Sequence, residues 1–551
     1  MSGARKAPPD RKPWSAAGTD AVAIALIAIL SALPYLPHLG FYSDDWGLLS
    51  DFSAEPSKSV AAIVGDSFAA RPVQGLYLIS LFGLFGLDPL GYHIVNTTVL
   101  AGAASLLYLL LLRLNLGRGL SLAATLLFLM LPQLSTVRVW YSAFQIPLGM
   151  ALMLVSMHCQ LSYARAGGPA WLIGAIVAAL LSIGAYEIFA PLIAGFAAMV
   201  AIERWPRSGD RRKSLKIGAA IMVIAGLLAL GLIYKLMTSE RAGAIGDPAR
   251  YLRGLNQFFR LDYDWRTDSS LNIVATPRAY FLDPLRGWWK GVKALATGQS
   301  GIEVSALAIA IAGLALWRLK GVRDPTSPSR LLLLGVAAFL LGNSTFLIVP
   351  AVAFTSTGID NRVQVAAAIG VAMIFASMLT LAARAVPARQ RAAAFAIAVA
   401  VVAAASFARL SAIEAYWAHA PQSQARVLAA ARADLGGLPA DSTVILDGIC
   451  PYEGPAVVFE TFWDVGGALT LALGRRTFGD TVSQRMSVGE KGLETSIYKA
   501  PRLYPYGPGL YVYNVMEHLV VPIPDRGTAI KYFGKHPPRH CPGFVARGVE
   551  V

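Results

Sequence analysis

The chain has 551 residues, of which 55% are hydrophobic and 15% charged, with a formal net charge of +15. Apolar runs recur from end to end, which places it among polytopic membrane proteins rather than water-soluble globular ones. The basic excess does not signal a nucleic-acid partner: much of the Lys and Arg sits in short loops between apolar runs, alternating with loops that hold little, the positive-inside pattern.

Residues 1–19 are Pro-rich and basic (Arg5, Lys6, Arg11, Lys12), which predicts a disordered cytoplasmic tail. Residues 21–36 are apolar with a basic flank. No small-x-small cleavage site follows, so they predict a retained first helix running from inside to outside. Next comes Phe41-Tyr42-Ser43-Asp44-Asp45-Trp46. Two adjacent carboxylates at the mouth of a membrane helix are costly near hydrocarbon and are functional candidates by default. Tyr42 and Trp46 suit a membrane–water interface; an ordinary polar loop is the bland alternative.

Residues 73–87 are apolar but shorter than the roughly 20 residues a span needs, and predict an interfacial or re-entrant helix. Spans are expected at 92–112, 119–134 and 146–164. The run 170–202 is too long for one perpendicular helix, and basic residues flank it on both sides. It should turn back at Gly184-Ala185-Tyr186-Glu187, bringing Glu187 to the outer side. A span at 217–237 leads to an aromatic- and Arg-rich outer segment, 238–300, long enough to be a lid or binding loop or to lie along the interface. Spans at 302–317, 331–353, 363–382 and 392–410 bring the total to about eleven, N-terminus inside and C-terminus outside.

From 411 to 551 the apolar runs become short and β-like (443–446, 456–459, 510–515), broken by Gly and Pro. This predicts a C-terminal extracytoplasmic α/β domain after a transmembrane domain of 20–410. Cys450 and Cys541 are the two cysteines of that part. In an oxidising periplasm they are expected to pair. His518, His536, His540 and Cys541 match no strong metal-site spacing.

Polar residues recur at the expected outer helix ends. After Asp44 and Asp45 come Arg71-Pro72, Tyr92-His93-Ile94-Val95-Asn96, Arg138-Val139-Trp140-Tyr141, Glu187, and Asp360-Asn361-Arg362. A carboxylate can take a proton from an acceptor hydroxyl. Fixed cations can stabilise charge on a departing phosphate. Each residue also has a plainer reading. For His93 it is a helix-capping or core histidine, for Arg71 and Arg362 an anchor at lipid headgroups, and for Glu187 a structural pair with an Arg.

On these motifs the chain resembles the GT-C superfamily of membrane glycosyltransferases. Within it, the likeness is to protein O-mannosyltransferase-like and bacterial dolichyl-phosphate-mannose mannosyltransferase-like proteins. The family's acidic pair after the first helix is matched by Asp44-Asp45. Its Arg-Pro, followed by Phe-Gly-Leu-x-Pro-x-x-Tyr-His-x-x-Asn, is matched by Arg71-Pro72 and by Phe85 through Asn96. Its Glu after a Leu-Ser run resembles Glu187 after Leu181-Ser182, and its late Arg motif resembles Asp360-Asn361-Arg362. The chain departs from relatives at Leu131-Pro132-Gln133, where they often carry His-Pro, and at Arg362-Val363-Gln364, where they often carry Arg-Tyr-Leu-Tyr.

The resemblance implies an inverting transferase in a bacterial inner membrane, with its site on the periplasmic face. Its donor would be a polyprenyl-phosphate sugar and its acceptor a lipid, glycan or protein. It implies Asp44 or Asp45 as general base, and Arg71 and Arg362 on the donor phosphate. His93, Glu187, Asp360 and Arg138 would line the substrate site, and a divalent metal stays open. Two rivals remain at this point. A transporter or flippase would carry midplane charges and inverted repeats. An O-antigen ligase or polymerase would share the chemistry.

Overall fold

The structure is a computed structural model and describes residues 13–54, 59–204, 278–320, 322, 328–347, 355, 357–482, 486–495, 502–537 and 541. The expected span at 217–237, the first two thirds of the aromatic segment 238–300, and His540 lie outside the described residues.

Helix α1 (Pro13–Ala32) begins on a proline, whose fixed φ and missing N–H suit a first helical position. The expected tail 1–19 is therefore helical from residue 13. Between the first two apolar runs lie α2 (Asp44–Ala54), α3 (Val60–Ser67) and α4 (Pro72–Phe85). At 14 residues α4 is too short to cross a bilayer. Then come α5 (Pro89–Arg113), capped by Asp88, and α6 (Arg118–Leu129). The expected span 119–134 is broken: α6 and the stretch Pro132–Val139, which contains α7 (Ser135–Val139), are bent by 56°. Pro132 cannot supply the N–H that a continuous helix needs there.

Helices α8 (Gln145–Ala166), α9 (Pro169–Ala185) and α10 (Ala190–Arg204) follow. Tyr186 is extended between α9 and the short turn Glu187–Phe189, so the chain breaks where the sequence puts the turn. After the described residues resume come α11 (Asp283–Thr297), α12 (Ile302–Leu319), α13 (Pro328–Ser344), α14 (Val365–Ala382) and α15 (Arg391–Asp434). Among the described residues, five helical stretches are long and apolar enough to cross a membrane, or six if the bent pair counts as one.

Helix α15 has 44 residues and runs without interruption through position 410, where the sequence put a domain boundary. It links the bundle to a C-terminal α/β unit. That unit contains β1 (Thr443–Asp447), β2 (Tyr452–Glu453), β3 (Ala456–Val457), α16 (Phe462–Leu473), β4 (Phe478–Thr481), β5 (Ser487–Val488), β6 (Gly492–Thr495), β7 (Arg502–Pro505), β8 (Leu510–Asn514), β9 (Leu519–Pro522) and α17 (Arg526–Lys535). The main sheet has the order β4-β1-β8-β9, parallel at β4-β1-β8 and antiparallel at β9. Cys450 and Cys541 form a disulfide across this unit, with Cα atoms 5.6 Å apart.

One contiguous apolar core runs from the bundle (Ile24, Phe128, Trp417) into the sheet (Val444, Leu446). The C-terminal unit is thus packed onto the helices rather than tethered beside them. A separate apolar cavity of about 190 Å³ lies within the bundle, lined by Leu107, Met153, Phe196, Leu341 and Met373 among others.

Candidate active site

The loop from Gly40 to Trp46 is held from several sides. Pro421 sits inside α15 and has no N–H, so the Trp417 carbonyl loses its usual helical donor. The Tyr42 hydroxyl donates to that carbonyl instead. Gly40 passes so close that a Cβ there would meet Pro421 Cγ at 2.7 Å. The Gly40 carbonyl lies 3.1 Å from His93 Nε2. Trp140 Nε1 donates to the Tyr42 carbonyl at 2.9 Å.

This scaffold treats the two adjacent carboxylates differently. Asp45 is fully buried. Its Oδ2 accepts the Tyr42 N–H at 2.9 Å, and its Oδ1 accepts the Ser142 N–H at 2.8 Å and the Ser142 hydroxyl at 2.5 Å. Burial pushes the Asp45 carboxyl up to about 7, against the pull of those donors. Asp45 therefore pins the loop to the turn Tyr141–Ala143. Asp44 is half-buried, and Ser43 Oγ lies 3.4 Å from its Oδ1. Burial raises its carboxyl above the usual range, and the charge of Arg362 draws it back.

Arg362 lies in the turn Ile359–Gln364 ahead of α14. Its Nη1 donates to the Ile359 carbonyl at 2.6 Å, and its guanidinium lies 4.7 Å from the centre of the Trp140 ring. Asn361 Nδ2 ties this turn to the α6–α7 break, donating to the Pro132 carbonyl at 3.1 Å and to Ser135 Oγ at 2.8 Å. Thr136 Oγ1 donates to the Gly358 carbonyl at 2.6 Å. The break in the 119–134 run thus positions both partners of the site: Trp140 carries Arg362, and Ser142 holds Asp45.

The other expected residues fall elsewhere in the network. Arg71 and Glu187 pair with each other, Nε to Oε2 at 3.1 Å and Nη2 to Oε1 at 2.8 Å, with Arg71 stacked 4.5 Å from the Tyr186 ring. The pair braces α4 against the α9–α10 turn. His93 is fully buried; a carbonyl faces Nε2, which must carry the proton, and Nδ1 has no partner among the described residues. That is a framework position. Arg138 is buried too, with Nε 2.5 Å from Glu414 Oε1 and Nη2 2.8 Å from Ser31 Oγ. Asp360 is half-buried beside Arg362 in sequence. Asn96 clamps the Val137 carbonyl at 2.9 Å.

Sequence reasoning missed four residues that shape the site: Ser43, Ser142, Glu460 and Trp463. The Ser43 hydroxyl donates to Glu460 Oε1, and Trp463 Nε1 lies 3.3 Å from Ser43 Oγ. Both partners come from the C-terminal unit, more than 400 positions away, and carry no motif. The structure itself marks Ser43, which has a φ of +47°. A non-glycine residue there is strained and is held only where the surroundings demand it. Among the described residues no group of three or more His, Cys, Asp and Glu is arranged to hold a metal ion. His518 faces Asp434, and His536 faces Glu517.

No family model and no curated protein matches this chain. Among solved structures it is similar to the crystal structure of ArnT from Cupriavidus metallidurans bound to undecaprenyl phosphate. The match has 14% identity and a TM-score of 0.36, and covers 85% of this chain and 86% of that one. A match at that score assigns neither fold, activity nor residues to this chain.

Proposed function

We propose that the protein is a membrane glycosyltransferase of the GT-C type, working on the periplasmic face of a bacterial inner membrane. It would move a sugar from a polyprenyl-phosphate donor to an acceptor hydroxyl. The observation that carries the reading is the division of labour at Asp44-Asp45: one carboxylate is consumed by three hydrogen bonds, while its neighbour makes no ion pair among the described residues and lies in the field of the Arg362 guanidinium. A transporter has no need of a general base beside a phosphate-binding cation.

In this reading Asp44 accepts the proton of the acceptor hydroxyl. The acceptor oxygen bonds to the anomeric carbon as the bond from that carbon to the phosphate oxygen breaks. The electron pair departs on the phosphate, which Arg362 receives. Asp45 fixes the base, and Trp140 orients the arginine. Arg71, Glu187 and Asp360 would border the substrate, and His93 and Arg138 would support the frame. Arg71 serves the donor less directly than the sequence suggests, because two of its nitrogens are already on Glu187. The apolar cavity beginning at Leu107 on α5 lies fourteen residues beyond His93, roughly 21 Å along the helix. It offers room for part of an isoprenoid tail.

The test is transfer by purified protein in nanodiscs, using a panel of short-chain polyprenyl phosphates carrying hexoses or pentoses and following release of polyprenyl phosphate. Asp44→Asn should lower the rate about 10²–10⁴-fold without loss of membrane level. Wild-type rates in that variant would sink the role of Asp44 as base, and no transfer by the unaltered chain from any donor of the panel would move a transporter ahead.

A further inference from the structure

The C-terminal unit places one carboxylate against the Asp44 loop. Glu460 is buried immediately before α16. Its Oε1 accepts the Ser43 hydroxyl, and its Oε2 accepts the Tyr452 hydroxyl. Its backbone is fixed as well: the N–H donates to Asp464 Oδ2 at 2.6 Å, and the carbonyl accepts from Thr481 Oγ1 at 3.1 Å. The start of α16 does not need the Glu460 side chain, because Thr461 and Asp464 already form a reciprocal capping box there. A buried carboxylate with no part in its own helix cap has another use.

Ser43 has one hydroxyl proton and stands between two carboxylates. Glu460 is the closer, and Asp44 Oδ1 is 3.4 Å away. Trp463 Nε1 donates to Ser43 Oγ and occupies one of its lone pairs. We propose that Glu460 is a positioning residue of the transfer site: it accepts the hydrogen bond of the Ser43 hydroxyl and so leaves the Asp44 carboxylate without that donor, free to accept a proton from the incoming hydroxyl. The inference rests on the reading of Asp44 as general base.

The charged and titratable groups around Asp44 come from every side. Asp45 lies on its own helix, Arg362 on the turn before α14, and Glu460 before α16. Tyr452 and Asp464 stand behind Glu460, and Tyr92 and Tyr141 face Asp45. Replacing Glu460 by Gln keeps the shape but changes the donor order. The amide can donate to Ser43 Oγ, and the Ser43 proton then turns to Asp44. A donor to the ionised form lowers the pKa of a carboxylate.

The experiment follows the protonated-carboxyl band of Asp44 by pH-difference infrared spectroscopy of the full chain in nanodiscs. The band is assigned by its absence in Asp44→Asn. Glu460→Gln should lower the Asp44 midpoint by roughly one pH unit. Adding Ser43→Gly, which removes the hydroxyl and suits the positive φ, should reverse most of that fall. Glu460→Ala frees the same proton and must also lower the midpoint, so the result does not hang on one variant folding. An unmoved midpoint, or a fall of equal size with and without the Ser43 hydroxyl, overturns the inference. An Asp44→Asn chain that transfers sugar at the wild-type rate overturns the general-base reading instead, so the two failures are distinct.

Discussion

At the scale of single residues, Asp45 shows how a fold can use a carboxylate without chemistry. It accepts two main-chain N–H groups and one hydroxyl, so each of its hydrogen-bond partners named here is a donor. Asp45→Asn turns one of those acceptors into a donor facing a donor. The expected loss is about 1–3 kcal/mol of stability, read as a fall in thermal midpoint. Because the folded-state carboxyl stands near 7 rather than its ordinary 3.8, the folded chain takes up a proton at Asp45 between those values. From this group alone, stability should therefore fall as pH rises from about 4 to about 7 and level off above. The difference in thermal midpoint between wild type and Asp45→Asn, measured across that window, checks the sign; a difference that does not vary with pH would mean that Asp45 keeps its ordinary pKa on folding.

At the scale of elements, two contacts hold the site together. The first is the buried pair Arg138–Glu414, which ties α7 to α15, with Ser31 adding α1. Removing one partner leaves an uncompensated charge, and Glu414→Ala is expected to cost about 3–5 kcal/mol. Replacing both by Met should recover much of that, and a double variant as unstable as the single would argue against a charge origin. The second is the seat of α16 on α2. A Cβ at Gly467 would meet the Trp46 carbonyl oxygen at 2.3 Å, with only main chain to give way. Gly467→Ala should lift α16 off the Asp44 helix while leaving the sheet folded. Faster proteolytic release of the C-terminal unit, with its Cys450–Cys541 bond intact, is the expected reading; unchanged proteolysis would mean that the seat adjusts.

At the scale of the whole molecule, the bundle has two polar ends. At one, Asp44 lies in the field of Arg362, and Ser43 beside it meets Glu460 of the C-terminal unit. At the other, the buried Asp20 receives Arg118 (2.6 and 2.8 Å), Arg318 (2.6 Å) and the Tyr108 hydroxyl (2.5 Å), joining α1, α5, α6 and α12. Asp20 lies eleven residues before Ser31 on α1, so the ends are separated by roughly 16 Å along that helix. The arginines at the Asp20 end belong to loops expected inside, and on that expectation the proposed periplasmic site would lie at the Asp44 end. A reporter fused after Val551 should therefore show periplasmic activity, and one at Gly209 cytoplasmic activity. A cytoplasmic C-terminal fusion would put Asp44 on the wrong side for a periplasmic donor.

The sequence by itself determined the elements. Apolar run length, the Tyr186 turn and the β-like runs near 443 and 510 are local signals, since each depends on residues within a few turns of one another, whereas 119–134 was expected as one span and is broken at Pro132. It also singled out Asp44, Asp45 and Arg362 as polar groups at helix ends. What it could not decide was which of two identical carboxylates would be consumed. That depended on Ser142 reaching Asp45 across 97 positions, and on Glu460 reaching Ser43 across 417. Arg71 and Glu187 likewise became one pair instead of two independent ligands. Hydrogen-bond partners of buried charges are set by packing between distant elements, and no local pattern encodes them. Tertiary structure therefore turned a row of polar residues into one carboxylate consumed by hydrogen bonds, a neighbour left in the field of a cation, and a set of braced ion pairs.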